Sequence, residues 1–538
     1  MVVYQGKGVY PGIVIGSVHV LHKTEAIIHD TPISDPKHEW ARYIAAKEET
    51  DRQLEALFEK TRKEIGEDEA MIIDVQRMML EDGDFNEAIE KSIQEEKRSA
   101  PYAVSQAGKE FSTFFASLDD PYMKARATDV NDVSQRLIDV LMGRRSDLQF
   151  TQPVIIVAND LTPSETLQID KSKMKAFVIR KGSSNSHTAI LARTMNIPCI
   201  VQANIPVDSS IDGKEVIIDG SQGICYLEPD EPTRDEMSAK QEAEFVRKKL
   251  LDSMRGLPTV TKSGRHVRLY SNIGNVEDLE AVLQHDSEGV GLFRSEFLYL
   301  GRSDYPTEDE LFGAYRKVAE GMGGKWVIVR TLDIGADKQA DYFKLDEEEN
   351  PALGLRGVRI CLERPELFRT QLRAIYRASA FGSVAIMFPM ITSLWEVRKC
   401  KEITAEVRSE LAGEGFAIGD VKLGIMIETP SSVMISDSLA KEVDFFSVGT
   451  NDLTQYALAI DRQNSKLERF HDAHHPAVIE MLRMTAQSAV NNGIWAGICG
   501  ELAADPDLTA LFIEMGFTEL SVSPGLTLGM RKLIRDMK

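Results

Sequence analysis

Cysteine is scarce in this 538-residue chain: five residues, at 199, 225, 361, 400 and 499, never spaced as CxxC. Odd in number and scattered, they favour a reducing cytoplasm over a disulfide framework or a zinc cluster. Basic charge is short as well. Lys and Arg total 63 against 84 Asp and Glu, a formal balance of −21. That argues against nucleic acid as a partner, because phosphate backbones demand a basic face. Acidity of this kind suits a basic protein partner or simply maintains solubility. No apolar run reaches membrane-spanning length, so membrane insertion is not expected. The start, MVVYQGKGVYPGIVIGSVHVL, is broken by Pro11, Gly12 and Gly16 and reads as an early strand rather than a signal peptide. A P-loop is missing too: the Gly-Lys pairs at 6–7, 108–109, 213–214 and 324–325 are never followed by Ser or Thr. The early GKGVYPG is too irregular for a dinucleotide fingerprint.

What is present is an ordinary globular composition, 43% hydrophobic and 27% charged. β texture occurs near the start and again in PVIIVANDLT, KAFVIRKG and EVIIDGSQGICYLEP. Between these stretches Trp40, Tyr43, Ile44, Leu54, Leu57 and Phe58 recur at helical spacing, as do Met71, Ile72, Val75, Met78 and Met79. The simplest organisation is an α/β domain over 1–31 and 146–230 with a helical subdomain, 32–145, inserted into it. A charged linker helix follows over 231–256. From 257 to 538, eight strand-like runs alternate with helix-compatible segments, which matches a TIM (β/α)8 barrel.

In such a barrel the chemistry sits where strands end. The ends of these eight runs carry Asn272, Arg294 with Glu296, Arg330 with Asp333, Glu428, Asn451 with Asp452, and Cys499 with Glu501; Lys338 and Arg462 follow shortly after. Converging arginines suit a substrate bearing phosphate and carboxylate, which guanidinium grips bidentately. Glu428 and Asp452 on neighbouring strands offer hard oxygen ligands for Mg²⁺. Cys499 in GICGEL is ambiguous, either a small buried apolar residue or a proton donor at an anion site. HDAHHP (471–476) has no spaced carboxylate or Cys pattern and reads as a solvated loop ahead of a helix.

SSNSHTAILAR places Ser, Asn and Ser where a helix N-cap belongs and His187 in the first turn, with Asn196–Pro198 closing the helix. The free N–H groups there disfavour imidazolium and welcome an anion. A neutral imidazole that is transiently phosphorylated fits this setting; an ordinary N-terminal-turn histidine fits it as well. A metal ligand is weaker, because no partner lies within one turn.

These residues lie in motifs that resemble the Enzyme I family of the bacterial sugar phosphotransferase system, the phosphoenolpyruvate-protein phosphotransferases. The motifs are DLTPSET (160–166), SHTAILAR (186–193), GVGLFRSEF (289–297), RTLDIGADK (330–338), NPALGLRGVRI (350–360), GIMIETPSS (424–432), FFSVGTNDLTQYALAIDR (445–462) and CGELAAD (499–505). The resemblance runs essentially end to end. It implies a multidomain α/β protein: an N-terminal swivelling phosphohistidine domain with an inserted helical subdomain that docks the carrier protein HPr, and a phosphoenolpyruvate-binding barrel that forms a homodimer. It further implies Mg²⁺ as cofactor, pyruvate as product, and a cytoplasmic place at the first step of sugar uptake. Residue by residue, His187 matches the phosphoryl acceptor and Thr166 the hydroxyl that holds its ring. Arg294, Arg330 and Arg462 match the anion clamp with Asn451 beside it, Glu428 and Asp452 the Mg²⁺ ligands, and Cys499 the acid that protonates the enolate. Lys338 and Arg356 match supporting groups. One departure concerns the family run G-G-x-T-S-H, which here is Gly182-Ser183-Ser184-Asn185-Ser186-His187. Ser183 would restrict the loop if that position needs positive φ. The nearest enzymatic alternatives, pyruvate phosphate dikinase and phosphoenolpyruvate synthase, need an ATP-binding domain for which no motif is present. A non-catalytic protein of the same fold is the alternative from another class.

Overall fold

The computed structural model describes residues 1–21, 28–64, 66–118, 121–144, 150–183, 186–335, 341–346 and 348–538, with His187 described in its backbone only. It divides into two compact units, Met1–Val246 and Arg247–Lys538.

The first unit is built on eight strands, β1 Val2–Gln5, β2 Lys7–Tyr10, β3 Ile13–Leu21, β4 Val154–Ala158, β5 Met174–Ile179, β6 Cys199–Val201, β7 Glu215–Asp219 and β8 Ile224–Leu227. They form one sheet in the order β1-β8-β7-β3-β4-β5-β6-β2. The β3, β4, β5 and β6 neighbours run parallel, and the flanking pairs are antiparallel. Near-continuous apolar runs such as VIIVA and EVIID arise because both faces of these strands are covered.

Among the described residues between β3 and β4 lie five helices, α1 Pro36–Glu64, α2 Glu67–Leu80, α3 Gly83–Gln94, α4 Ala100–Ser117 and α5 Pro121–Leu141. The helical spacing read from Tyr43, Leu54 and Leu57 is the buried stripe of α1, and these residues share one core with sheet residues Ile156, Phe177 and Cys199. A polar tie pins the block further. Asp132 on α5 accepts from the Ser164 hydroxyl at 2.9 Å and from Gln76 on α2 at 2.8 Å. The α/β portion also carries α6 Pro163–Gln168 and α7 His187–Thr194. The charged stretch after β8 forms α8, Glu231–Asp252, whose only buried residue is Met237.

The second unit contains the eight expected strands, β9 Arg268–Ile273, β10 Val290–Arg294, β11 Val327–Arg330, β12 Val384–Phe388, β13 Lys422–Ile427, β14 Phe445–Val448, β15 Trp495–Ile498 and β16 Glu519–Val522. All are parallel in sequence order, and β16 pairs back onto β9 to close a TIM barrel. Alternation sorts each strand. Ile386, Ile425, Phe446 and Ile498 face outward into one core with the helices, whereas Ile328, Ala385, Met426, Phe445 and Cys499 pack in the lumen. The lumen is filled by setting a large side chain beside a glycine. Phe445 pairs with Gly424 in the β13–β14 ladder and stacks on Trp495 with ring centroids 4.6 Å apart. A Cβ at Gly424 would lie 2.3 Å from the Phe445 ring. Gly424→Ala is therefore expected to cost about 1–3 kcal/mol in urea denaturation. Gly413→Ala, where a Cβ meets nothing within 4 Å, should stay within about 0.5 kcal/mol of the parent.

Candidate active site at the barrel mouth

Glu428 follows directly on β13 and is fixed from two sides. The backbone N–H of Met390, a non-glycine residue at φ +56°, donates to Glu428 Oε1 at 2.6 Å. After it, Thr429 caps the short helix Pro430–Met434 through a reciprocal box with Ser432, and its hydroxyl donates to the Ile391 carbonyl at 2.8 Å. Glu428 Oε2 is buried and has no hydrogen-bond partner. A Cβ at Gly449 would come within 2.6 Å of that oxygen, so glycine in VGTND serves close approach rather than an unusual backbone angle. Burial pushes the Glu428 carboxyl up to about 8, with Asp452 and Asp333 adding to the effect and Arg330 and Arg356 opposing it.

Beside it runs an alternating series of charges. Arg330 pairs with Glu296 and, at 3.0 Å, with Asp333. Asp333 accepts from Arg356 at 3.2 Å; Arg356 reaches Asp452 at 3.0 Å; Asp452 lies 3.7 Å from Arg462. Arg330 is 4% and Arg356 2% exposed. Burial alone would lower both guanidinium pKa values, but Glu296 and Asp333 beside Arg330, and Asp333 and Asp452 beside Arg356, hold them above the ordinary value. Ions so deeply buried are tolerable only when fully paired. Gly335, at φ +117°, makes room here, since a Cβ would lie 2.4 Å from that of Arg356.

Above the series opens a cavity of about 1250 Å³ whose walls include Arg294, Arg330, Glu428, Asn451, Asp452, Arg462 and Cys499. Most of the barrel residues named from the sequence are thereby brought together. Arg356 lies outside the lining and braces it. Lys338 falls outside the described residues. Half-buried Arg294 has no ion-pair or hydrogen-bond partner for its side chain among the described residues, unlike Arg330, Arg356 and Arg462. Asn451 donates to Glu501 Oε1 and accepts from the Glu501 N–H, both at 3.1 Å, which docks the loop carrying Cys499. The Cys499 thiol is 2% exposed and donates to the Val448 carbonyl at 3.5 Å. Burial pushes it up to about 12 against the smaller opposing pulls of Ser447 and Arg330, so near neutral pH it is an S–H group.

In the first unit, Ser186 caps α7 as its sequence suggests, accepting from the Ala189 N–H. The Thr188 hydroxyl donates to the Leu161 carbonyl at 3.0 Å and so joins SHTAILAR to DLTPSET. Thr166 is fully buried and donates to the Thr162 carbonyl at 3.0 Å. The His187 side chain lies outside the described residues. Before it, positive φ falls on Gly182 (+88°) and not on Ser183, so serine meets no backbone penalty there.

Two features escaped the sequence. HDAHHP has no regular structure up to its proline, as expected, yet His471 and His474 line the cavity, and His474 Nε2 meets Asp505 Oδ2 at 2.6 Å. Tyr456 also lies against Arg356, at 3.2 Å. Neither contact has a local signal, because each joins segments that follow different strands.

The family described as PEP-utilising enzyme, PEP-binding domain, matches residues 248–538; the N-terminal region of such enzymes matches 5–126, and their mobile domain 150–223. Proteins named phosphoenolpyruvate-protein phosphotransferase from Staphylococcus carnosus (strain TM300) and Bacillus subtilis (strain 168) are 38% and 39% identical over 536 residues. The one from Priestia megaterium is 40% identical over 537. Each alignment covers 99% of this chain and 94% of the relative.

Breaking the buried series should be costly. Among the described residues Arg356→Leu leaves Asp333 with Arg330 and Asp452 with the more distant Arg462, and an expected loss of about 3–5 kcal/mol is measurable by denaturant unfolding. Lys441→Ala, which removes an exposed pair with Asp437, should cost under about 1 kcal/mol.

Proposed function

This chain belongs to the PEP-utilising enzymes, as a member of the phosphoenolpyruvate-protein phosphotransferase family, and on that premise we propose how its residues divide the work. Phosphoenolpyruvate binds in the barrel cavity, with Arg294 gripping the substrate's anionic groups and Arg330 and Arg462 completing the clamp. His187 attacks phosphorus in line, and the P–O bond to the enol oxygen breaks. Cys499 gives its proton to C3 of the departing enolate, and pyruvate leaves. The phosphoryl group then passes from His187 to a histidine of HPr, docked on the helical block over 32–145. Positioning and charge neutralisation carry most of the rate, as in other phosphoryl transfers.

The observation that carries this reading is the pairing pattern of the cavity wall. Among the described residues Arg294 is left without an anionic side chain, while the arginines behind it are neutralised. A charged, half-buried guanidinium without a partner is poised for a substrate anion. The thiol opposite is held in its protonated form by burial, as an acid should be.

Glu428 and Asp452 fit a hard dication. Their oxygens repel one another in a buried site, and Glu428 Oε2 has no partner. Mg²⁺ held there would neutralise charge on the phosphate and enolate oxygens.

His187 belongs to the first unit and the cavity to the second, so turnover requires the phosphohistidine domain to swing between the cavity and HPr. The region around α8 is the natural hinge. Homodimerisation through the barrel is part of the proposal, supported by exposed Leu353, Trp395 and Met434. Five free, buried cysteines suit a reducing cytoplasm. A non-catalytic role is disfavoured because no member of the cavity set is replaced.

Incubation with phosphoenolpyruvate labelled in its phosphate, with Mg²⁺ and no ATP, should place acid-labile label on the protein and none on His187→Ala; absence of label from the unaltered chain would remove the proposal. Mg²⁺ alone should raise the melting temperature of the parent, and Glu428→Gln should abolish that rise.

A further inference from the structure

The barrel lumen holds a carboxyl that the reaction above leaves unused. Glu519 opens β16, is 1% exposed, and neither oxygen forms a hydrogen bond among the described residues, although the Trp495 indole N–H, itself unbonded, lies near enough to pull its pKa down against burial. Two glycines give it space: a Cβ at Gly291 would lie 2.8 Å from Glu519 Oε1, and one at Gly497 3.0 Å. A buried carboxyl without a formed hydrogen bond at a packing position costs free energy that an apolar side chain would avoid.

Strand register says what lies near it. Gly497 pairs with Glu519 in the β15–β16 ladder and with Ser447 in the β14–β15 ladder, so the three form a row across the lumen. Cys499 is two residues beyond Gly497 and packs in the same lumen, one layer nearer the mouth. The Ser447 hydroxyl is buried without a formed hydrogen bond, yet lies near enough to the Cys499 thiol to lower its pKa. On the opposite side the carboxyl faces half-buried Arg268, whose guanidinium sits 5.4 Å from the Trp495 ring centroid, with Tyr270 alongside.

We propose that Glu519 is an internal proton reserve that returns Cys499 to its thiol form after each turnover, through the Ser447 hydroxyl. The inference rests on Cys499 acting as the acid in the reaction proposed above. When the S–H bond breaks and the C3–H bond of pyruvate forms, a thiolate is left. The Ser447 O–H proton passes to sulfur, and the Glu519 O–H proton replaces it on the serine. Glu519 becomes a carboxylate and takes a proton from water at the Arg268 end. No electron changes hands. Burial pushes Glu519 up to about 8 and Cys499 up to about 12, so the reserve is filled at neutral pH and the transfer runs downhill.

The test is rapid-quench measurement of pyruvate from the full chain with phosphoenolpyruvate, Mg²⁺ and HPr, separating the first turnover from the steady state. Glu519→Gln should keep the first burst of pyruvate and the KM for phosphoenolpyruvate, slow the steady state at least about tenfold, and recover with added formate buffer. Ser447→Ala, the second variant should Glu519→Gln fail to fold, should show the same split. Equal steady-state rates, or burst and steady state falling together without rescue, overturn the reserve. No pyruvate from the unaltered chain overturns the phosphotransfer reading beneath it, and the reserve with it.

Discussion

Arg330 and Arg356 are buried among Glu296, Asp333 and Asp452 at the ends of the barrel strands, and the rest of the site is arranged around them. Neither guanidinium could be desolvated alone, and none of these carboxylates could be buried unpaired. Alternation of sign solves both problems, and it also stiffens the cavity floor. Loops after β11, the helix Thr450–Leu458 and the segment around Gly354–Gly357 are held by the same few ion pairs. A pocket that must recognise a small polyanion gains from such a floor, because preorganised charge costs no reorganisation when substrate arrives.

Departures from full pairing are then informative. Among the described residues Arg294 lacks a side-chain partner, Glu428 keeps one oxygen unbonded, and Cys499 is a thiol pressed among apolar side chains. Each is a group that folding alone would have paired or replaced. Together they match the needs of a phosphate-and-carboxylate substrate, a hard cation and a proton donor. Close approach by glycine makes the arrangement possible: Gly449 against Glu428, Gly335 against Arg356, and Gly497 against Glu519. Glu519 belongs to the same category, and its position beneath Cys499 gives it a role that packing does not explain.

Much of the architecture was readable from periodicity. The eight strand-like runs between 257 and 538 each hold a barrel strand, since a strand covered on both faces must be apolar throughout. The inserted helices were visible in the spacing of Tyr43, Leu54 and Leu57, and the cap of α7 in its serines. The polar residues at strand ends were equally visible as candidates. What could not be read was their division of labour. Arg356 looked like one more arginine in NPALGLRGVRI, yet it is the brace between Asp333 and Asp452, the latter 96 residues away. HDAHHP looked like a solvated loop, and only its pairing with Asp505 brings it to the cavity wall.

The sequence by itself determined the kind of each element, the strand-end placement of the reactive groups and the helix cap at Ser186, because alternation, helical spacing and capping act over a few residues. The tertiary structure alone decided which arginine is free and which is spent, which carboxylate oxygen stays bare, and that Glu519 sits in the lumen one layer below Cys499. Those outcomes depend on barrel closure and strand register, which bring together groups far apart in the chain and set each one's burial and neighbours.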